Sequence, residues 1–161
     1  MQLRYWKFLV QLKAWIFYLD QYADISYRRD KAINIILALA SSSSIAAWAI
    51  WGDFDFIWAF FIAVSQVITA VKPHLPYSKR MDTLGRFSTE LQVLFNKTDY
   101  HWYRVSNGDL TESEINELLF ELKAQSTDIS NKYLKIENLP ENEDFKLSAD
   151  LKAEHYFAET Y

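Results

Sequence analysis

The sequence predicts an all-α membrane protein: a two-helix transmembrane hairpin with an N-terminal amphipathic helix and a cytoplasmic helical hairpin, working as an oligomer. Three observations predict it. Two apolar runs, INIILALASSSSIAAWAIW from Ile33 to Trp51 and FDFIWAFFIAVSQVITAV from Phe54 to Val71, meet at a tight turn. Glycine and proline number only three each, too few to punctuate a sheet of short strands. Downstream, apolar residues recur at alternating spacings of four and three, the period of helices that pack along a seam.

The 161 residues are the size of one ordinary domain. They divide into an N-terminal helix over 1–31, the hairpin over 32–72, a cytoplasmic helical hairpin over 73–138 and an acidic segment over 139–161. The net charge of −4 hides an asymmetry: basic residues precede the apolar pair, whereas Glu137, Glu141, Glu143, Asp144, Asp150, Glu154 and Glu159 crowd the end. Cysteine is absent, which excludes a disulfide framework and a thiolate site.

Residues Leu3 to Arg29 contain no proline or glycine and interleave Leu, Trp, Phe and Tyr with Arg4, Lys7, Lys13, Arg28 and Arg29. The charges run through the whole stretch and no small-residue cleavage site follows, so it reads as mature protein rather than a signal peptide. Two placements stand open: a helix along the inner leaflet, its cations on anionic lipid, or a helix packed on the cytoplasmic bundle.

The first apolar run has no ionisable side chain, and the second has only Asp55, near its start. At about 1.5 Å per residue each approaches the roughly 30 Å hydrocarbon thickness. Core helices of a soluble bundle are the alternative, but the chain offers too few other apolar faces to cover two helices that are hydrophobic all round. Lysine and arginine avoid the turn and cluster on both outer flanks, which places the turn outside and both termini in the cytoplasm. Trp48, Trp51 and Trp58 fall near the turn, at the depth of an interfacial belt.

Four serines, Ser41 to Ser44, interrupt the first run, and Ser65, Gln66 and Thr69 the second. Such groups need partners in hydrocarbon, and the plain reading is packing glue between helices. The sharper one makes Ser41, Ser44, Gln66 and Thr69 pore-lining. Two helices cannot enclose water, so a pore requires several chains, and four hairpins suffice to surround a narrow path.

Pro73 and Pro76 break the chain after the hairpin. Tyr77, Met81, Leu84, Ser88, Leu91, Phe95, Thr98 and Trp102 then mark one helix face. Ser106, Asn107 and Gly108 end that helix, and Thr111 with Glu114 forms a capping box for the next, whose face is Ile115, Leu118, Leu122, Gln125, Ile129, Tyr133 and Ile136. After Leu139 and Pro140 the acidic segment carries Phe145, Leu147, Leu151, Tyr156 and Phe157, as either a short docked helix or a mobile tail.

There is no glycine-rich phosphate loop, nucleophile elbow or metal-ligand spacing, and His74, His101 and His155 are scattered. The sequence therefore points to no enzyme, no cofactor and no metal. Arg28, Arg29, Lys31, Lys72, Lys79, Arg80 and Arg86 flank the hairpin on its inner side. Positive-inside topology and lipid contact account for them; repeated around an axis, they also suit an anionic ligand.

This layout, a basic aromatic helix, the hairpin, the segment KPHLPYSKR from Lys72 to Arg80 and a long helical region, resembles the bacterial SLATT group of two-helix membrane proteins. The resemblance implies a pore-forming effector of antiphage defence, gated by a nucleotide or oligonucleotide from a nucleotidyltransferase encoded nearby, whose leak arrests growth. A homo-oligomeric ion channel, with a tetramer as the expected number, is the first reading. A non-conducting membrane scaffold that recruits a partner through its cytoplasmic helices is the second.

Overall fold

The computed structural model describes residues 1–48, 55–74, 77–135 and 139–161. Side chains at 39–48, 55, 57–59, 61 and 77–78 are outside the description, as are the segments between those ranges. Helices α1 (Gln2–Trp48), α2 (Asp55–Val71), α3 (Tyr77–Ser106), α4 (Glu112–Leu134) and α5 (Glu143–Thr160) carry nearly all of it, with a 3-10 turn at Lys72–His74. Among the described residues there is no strand.

Two compact units emerge, residues 1–23 with 82–161 and residues 24–81. The sequence divides the chain at 31/32 instead. No glycine or proline interrupts Gln2–Trp48, and the helix continues through Arg28, Arg29 and Lys31, so the N-terminal helix and the start of the first apolar run are one element.

The first unit is a four-helix bundle. In α1, Tyr5, Leu9, Leu12, Ile16 and Leu19 are buried at alternating four- and three-residue steps. They meet Leu84, Phe87, Leu91, Leu94 and Phe95 of α3, and Ile115, Leu119 and Leu122 of α4, in one core. The directions follow from the polar ties. Gln2 donates to the Val105 carbonyl (2.8 Å), Tyr5 to that of Thr98 (2.9 Å) and Ser88 to the Asp20 carboxylate (2.7 Å), so α1 and α3 run antiparallel. Lys97 reaches Glu121 (3.3 Å) while Lys132 and Tyr133 reach Glu90, so α3 and α4 do the same.

Helix ends follow local chemistry. Gly108 takes φ 76°, and the amides of Gly108 and Asp109 bond back to the carbonyls of Val105 and Arg104, closing α3 with a left-handed residue that glycine adopts without strain. The Thr111–Glu114 capping box opens α4. Asn142 caps α5 by accepting from the Phe145 amide (3.1 Å), with Glu143 and Asp144 on the positive end of the helix dipole.

Of the two alternatives for the acidic segment, the structure holds the docked helix. Ala149, Ala153 and Phe157 of α5 are buried, and Trp6 packs edge-on against Phe157 at 4.9 Å. Leu147 and Leu151 face away, 63% and 57% exposed.

In the second unit α2 is 17 residues long, and among the described residues no helix is long and apolar enough to cross a membrane. The hairpin turn and Trp51 lie outside the described residues.

Candidate functional site

Two surfaces bear on function, one in each unit. In residues 24–81 it is the outside of α2. Phe56 is 84% exposed, and Phe60, Ile62, Val67 and Val71 are exposed too, on a helix with no ionisable side chain from Phe56 to Val71. The hydroxyls here turn inward on their own backbone: Ser65 donates to the Ile62 carbonyl and Thr69 to that of Ser65, each at 2.8 Å. This back-bonding satisfies them with no neighbour. Gln66 is exposed, and among the described residues its amide has no hydrogen-bond partner. Ser41 and Ser44 belong to α1, with side chains outside the description.

Just after α2, Lys72 donates to Asn34 Oδ1 (2.5 Å), and Asn34 Nδ2 donates to Asp30 (2.9 Å). This polar chain ties the residue after α2 to α1. The other cations of the predicted collar are only partly brought together. Arg28 pairs with Asp24 one turn back at 2.9 Å, and Lys31 lies 5.9 Å from the Tyr27 ring. Lys79 and Arg80 belong to the same unit, whereas Arg86 belongs to the bundle, where Asp82 neutralises it at 3.1 Å. Arg28 and Arg86 thus already carry a carboxylate. Arg29 is exposed.

In the bundle a groove of about 810 Å³ opens between the start of α1 and α5. One face of α1, Leu3, Val10, Ala14 and Trp15, forms one wall, and Lys146, Ala149 and Asp150 of α5 line the other. The volume falls in the range of ligand pockets. The wall positions recur along α1 as neighbours on a helix must. Tyr18 lines the groove; its hydroxyl, like that of Tyr22, donates to the Pro140 carbonyl, while the Asn142 amide donates to the Tyr18 oxygen (3.2 Å).

Sequence reasoning leaves Lys13 open between a cation meeting lipid and a residue of a bundle helix; the structure places it inside the bundle, 9% exposed. Its ammonium lies 4.4 Å from the Tyr156 ring centroid, 4.7 Å from Phe95 and 5.3 Å from Phe17, and donates to Gln92 Oε1 (3.2 Å). Burial holds its pKa below the usual lysine value, against the opposing pull of Asp20 and Asp99. The rings supply a cation–π cage that joins α1, α3 and α5. Glu90 is held below the ordinary carboxylate range by the hydrogen bonds from Lys132 and Tyr133. Neither the cage nor the groove has a short sequence signal, because residues more than a hundred positions apart build each.

Among the described residues no three His, Asp or Glu side chains gather as metal ligands. No family model, curated protein or solved structure matches the chain.

Proposed function

We propose that the chain is a homo-oligomeric membrane effector whose hairpin contributes to an ion-conducting path and whose cytoplasmic bundle carries the gate. The observation that carries it is the outside of α2: large apolar side chains exposed on a helix without an ion from Phe56 to Val71. Water makes that surface costly, at about 25 cal/mol per Å² of apolar area, and lipid removes the cost. Seventeen residues span about 26 Å as a helix, within the mismatch a bilayer absorbs by thinning.

Gln66 gives the hairpin its reason to assemble. An unpartnered amide on a lipid-facing helix gains most from another chain or from a water-filled axis. Ser65 and Thr69 are already satisfied within α2, so Gln66 carries more of the pore reading than Thr69.

The SLATT resemblance supplies the biological setting: antiphage defence, with a nucleotide or oligonucleotide from a partner enzyme as the signal. That ligand must bind open and closed states unequally to move the gate. Part of the basic collar is already paired, so a ligand there competes with Asp24 for Arg28.

The test is conductance of the purified full chain in planar bilayers, alongside growth arrest on expression. The channel predicts current that Gln66→Leu abolishes or strongly reduces. The scaffold reading, favoured by the groove, predicts no current, toxicity indifferent to Gln66→Leu, and loss of function when Leu122 is replaced by a polar residue.

A further inference from the structure

Two clusters of contacts fasten α5 to the rest of the bundle. At its start the Asn142 amide donates to the Tyr18 oxygen (3.2 Å), Gln21 Nε2 donates to the Phe145 carbonyl (3.2 Å), and the Tyr22 and Phe145 rings meet edge-on at 4.9 Å. At its end Trp6 packs against Phe157 (4.9 Å) and Tyr161 (5.3 Å), and the Tyr161 hydroxyl donates to Asp99. Along the stretch between the two clusters lies the groove, with Val10, Ala14 and Ala149 on its walls. Unfilled space supplies no dispersion contacts, so the groove adds nothing to what the two ends hold.

What α5 itself buries is small. Ala149, Ala153 and Phe157 are its buried residues, whereas α3 buries Leu84, Phe87, Leu91, Leu94, Phe95 and Val105. Burial stabilises in proportion to apolar area, at about 25 cal/mol per Å², so α5 gains far less from it than α3 does. Phe157 is the one buried member of the common core that α5 supplies; the others described come from α1, α3 and α4 and remain packed on one another without it. Docking also takes the Lys13 ammonium out of water and under the Tyr156 ring at 4.4 Å. A desolvated cation offsets part of what packing gains, even where rings replace water.

We infer that α5 is a releasable strap, a helix that undocks as a unit while α1, α3 and α4 stay packed, and whose release frees the Lys13 ammonium and the Trp6 ring. Elements with few buried apolar contacts open sub-globally, at lower free energy than the core beneath them. Tyr18, Gln21 and Tyr22 belong to the last turns of α1 inside the bundle unit, and α1 runs on without a break into residues 24–48. Release therefore lifts a restraint from the helix that leaves the bundle for the hairpin unit. The strap is a property of the bundle alone and stands whether or not the chain conducts.

Hydrogen exchange of the full chain in detergent micelles, followed by mass spectrometry at rising denaturant below the unfolding transition, tests the release. Amides of residues 145–160 should exchange about a hundredfold faster than those of 87–95, with a shallower dependence on denaturant, because a local opening exposes less surface than global unfolding. If both segments follow one steep slope, α5 opens only with the whole bundle and the strap is overturned. Acetic anhydride gives a second readout on the same protein. Lys13, 9% exposed, should react about tenfold or more slower than Lys97, whose side chain is 41% exposed. Phe157→Ala removes the one core side chain of α5 and should speed the Lys13 reaction about tenfold or more, leaving Lys97 unchanged. Lys13 that reacts at the Lys97 rate in the wild type, or at a rate Phe157→Ala does not alter, overturns the strap as well. If Phe157→Ala does not fold, the exchange slopes of the wild type decide alone.

Discussion

The bundle and the hairpin unit spend similar side chains in opposite directions. In residues 1–23 and 82–161, aromatic and aliphatic side chains point inward: Tyr5, Leu9, Leu19, Phe87, Phe95 and Leu122 are each at most 2% exposed. In residues 24–81, Ser26 is the one buried residue among the described side chains, while Phe56, Phe60 and Val67 face out. Hydrophobicity alone does not distinguish the two regions; the partner it finds does. The bundle covers its apolar faces with its own helices, whereas the described side chains of α2 stand open, and that is what the membrane proposal accounts for.

The sharpest way to break that comparison is to cut one apolar side chain on each side. Phe95→Ala empties the middle of the core and should cost about 3–5 kcal/mol in denaturant unfolding of the detergent-solubilised protein. Val67→Ala, at a position 61% exposed, should change the same measurement by no more than about 0.5 kcal/mol. Equal effects would mean that α2 is packed as tightly as α3, and the contrast between the units would fail.

A smaller effect tests the charged component of the bundle. Lys13→Ala removes both the cation over Tyr156, Phe95 and Phe17 and the aliphatic stem that packs below it, at a cost of about 2 kcal/mol. Lys13→Met keeps the stem and discards the desolvated charge, so it should lose less. If Met is as damaging as Ala, the ammonium itself holds α5 in place; if Met is neutral, the cage matters as packing.

Much of the bundle was legible because its signals are local. The capping box at Thr111 and Glu114 lies within four residues, and the face through Leu84, Ser88, Leu91, Phe95 and Thr98 follows a helix's own period. On α4 the period drifts: Leu119 is buried where Leu118 is expected, and Leu118 packs at its edge. The N-terminal helix was ambiguous for a physical reason. Leu3 to Arg29 has no single apolar stripe because α3 and α4 take one side of α1 and α5 another, so several faces are apolar at once. The groove and the Lys13 cage were hidden because each depends on where α5 docks, and only the pairing of α1 with α5 brings Ala14 and Ala149 to one groove. The candidate pore residues were legible as polar interruptions, but which of them lacks a partner was not: Thr69 bonds within its own helix and Gln66 does not.

The smallest effect is the most specific to the bundle, because it depends on pH. Glu90 receives hydrogen bonds from Lys132 and Tyr133, and these hold its folded-state pKa below the ordinary value of 4.5. A carboxyl whose pKa is depressed on folding binds fewer protons folded than unfolded across that window. Its contribution is therefore fully present above pH 4.5 and declines as the pH falls through the lowered folded value. Glu90→Gln should lower the unfolding temperature slightly at pH 7, where solvent screens the Lys132 arm of this half-exposed network, and the difference from wild type should shrink on acidification. A difference that stays constant from pH 7 to pH 3 would mean that the charge of Glu90 contributes nothing to the effect, and would remove ion pairing from what joins α3 to α4.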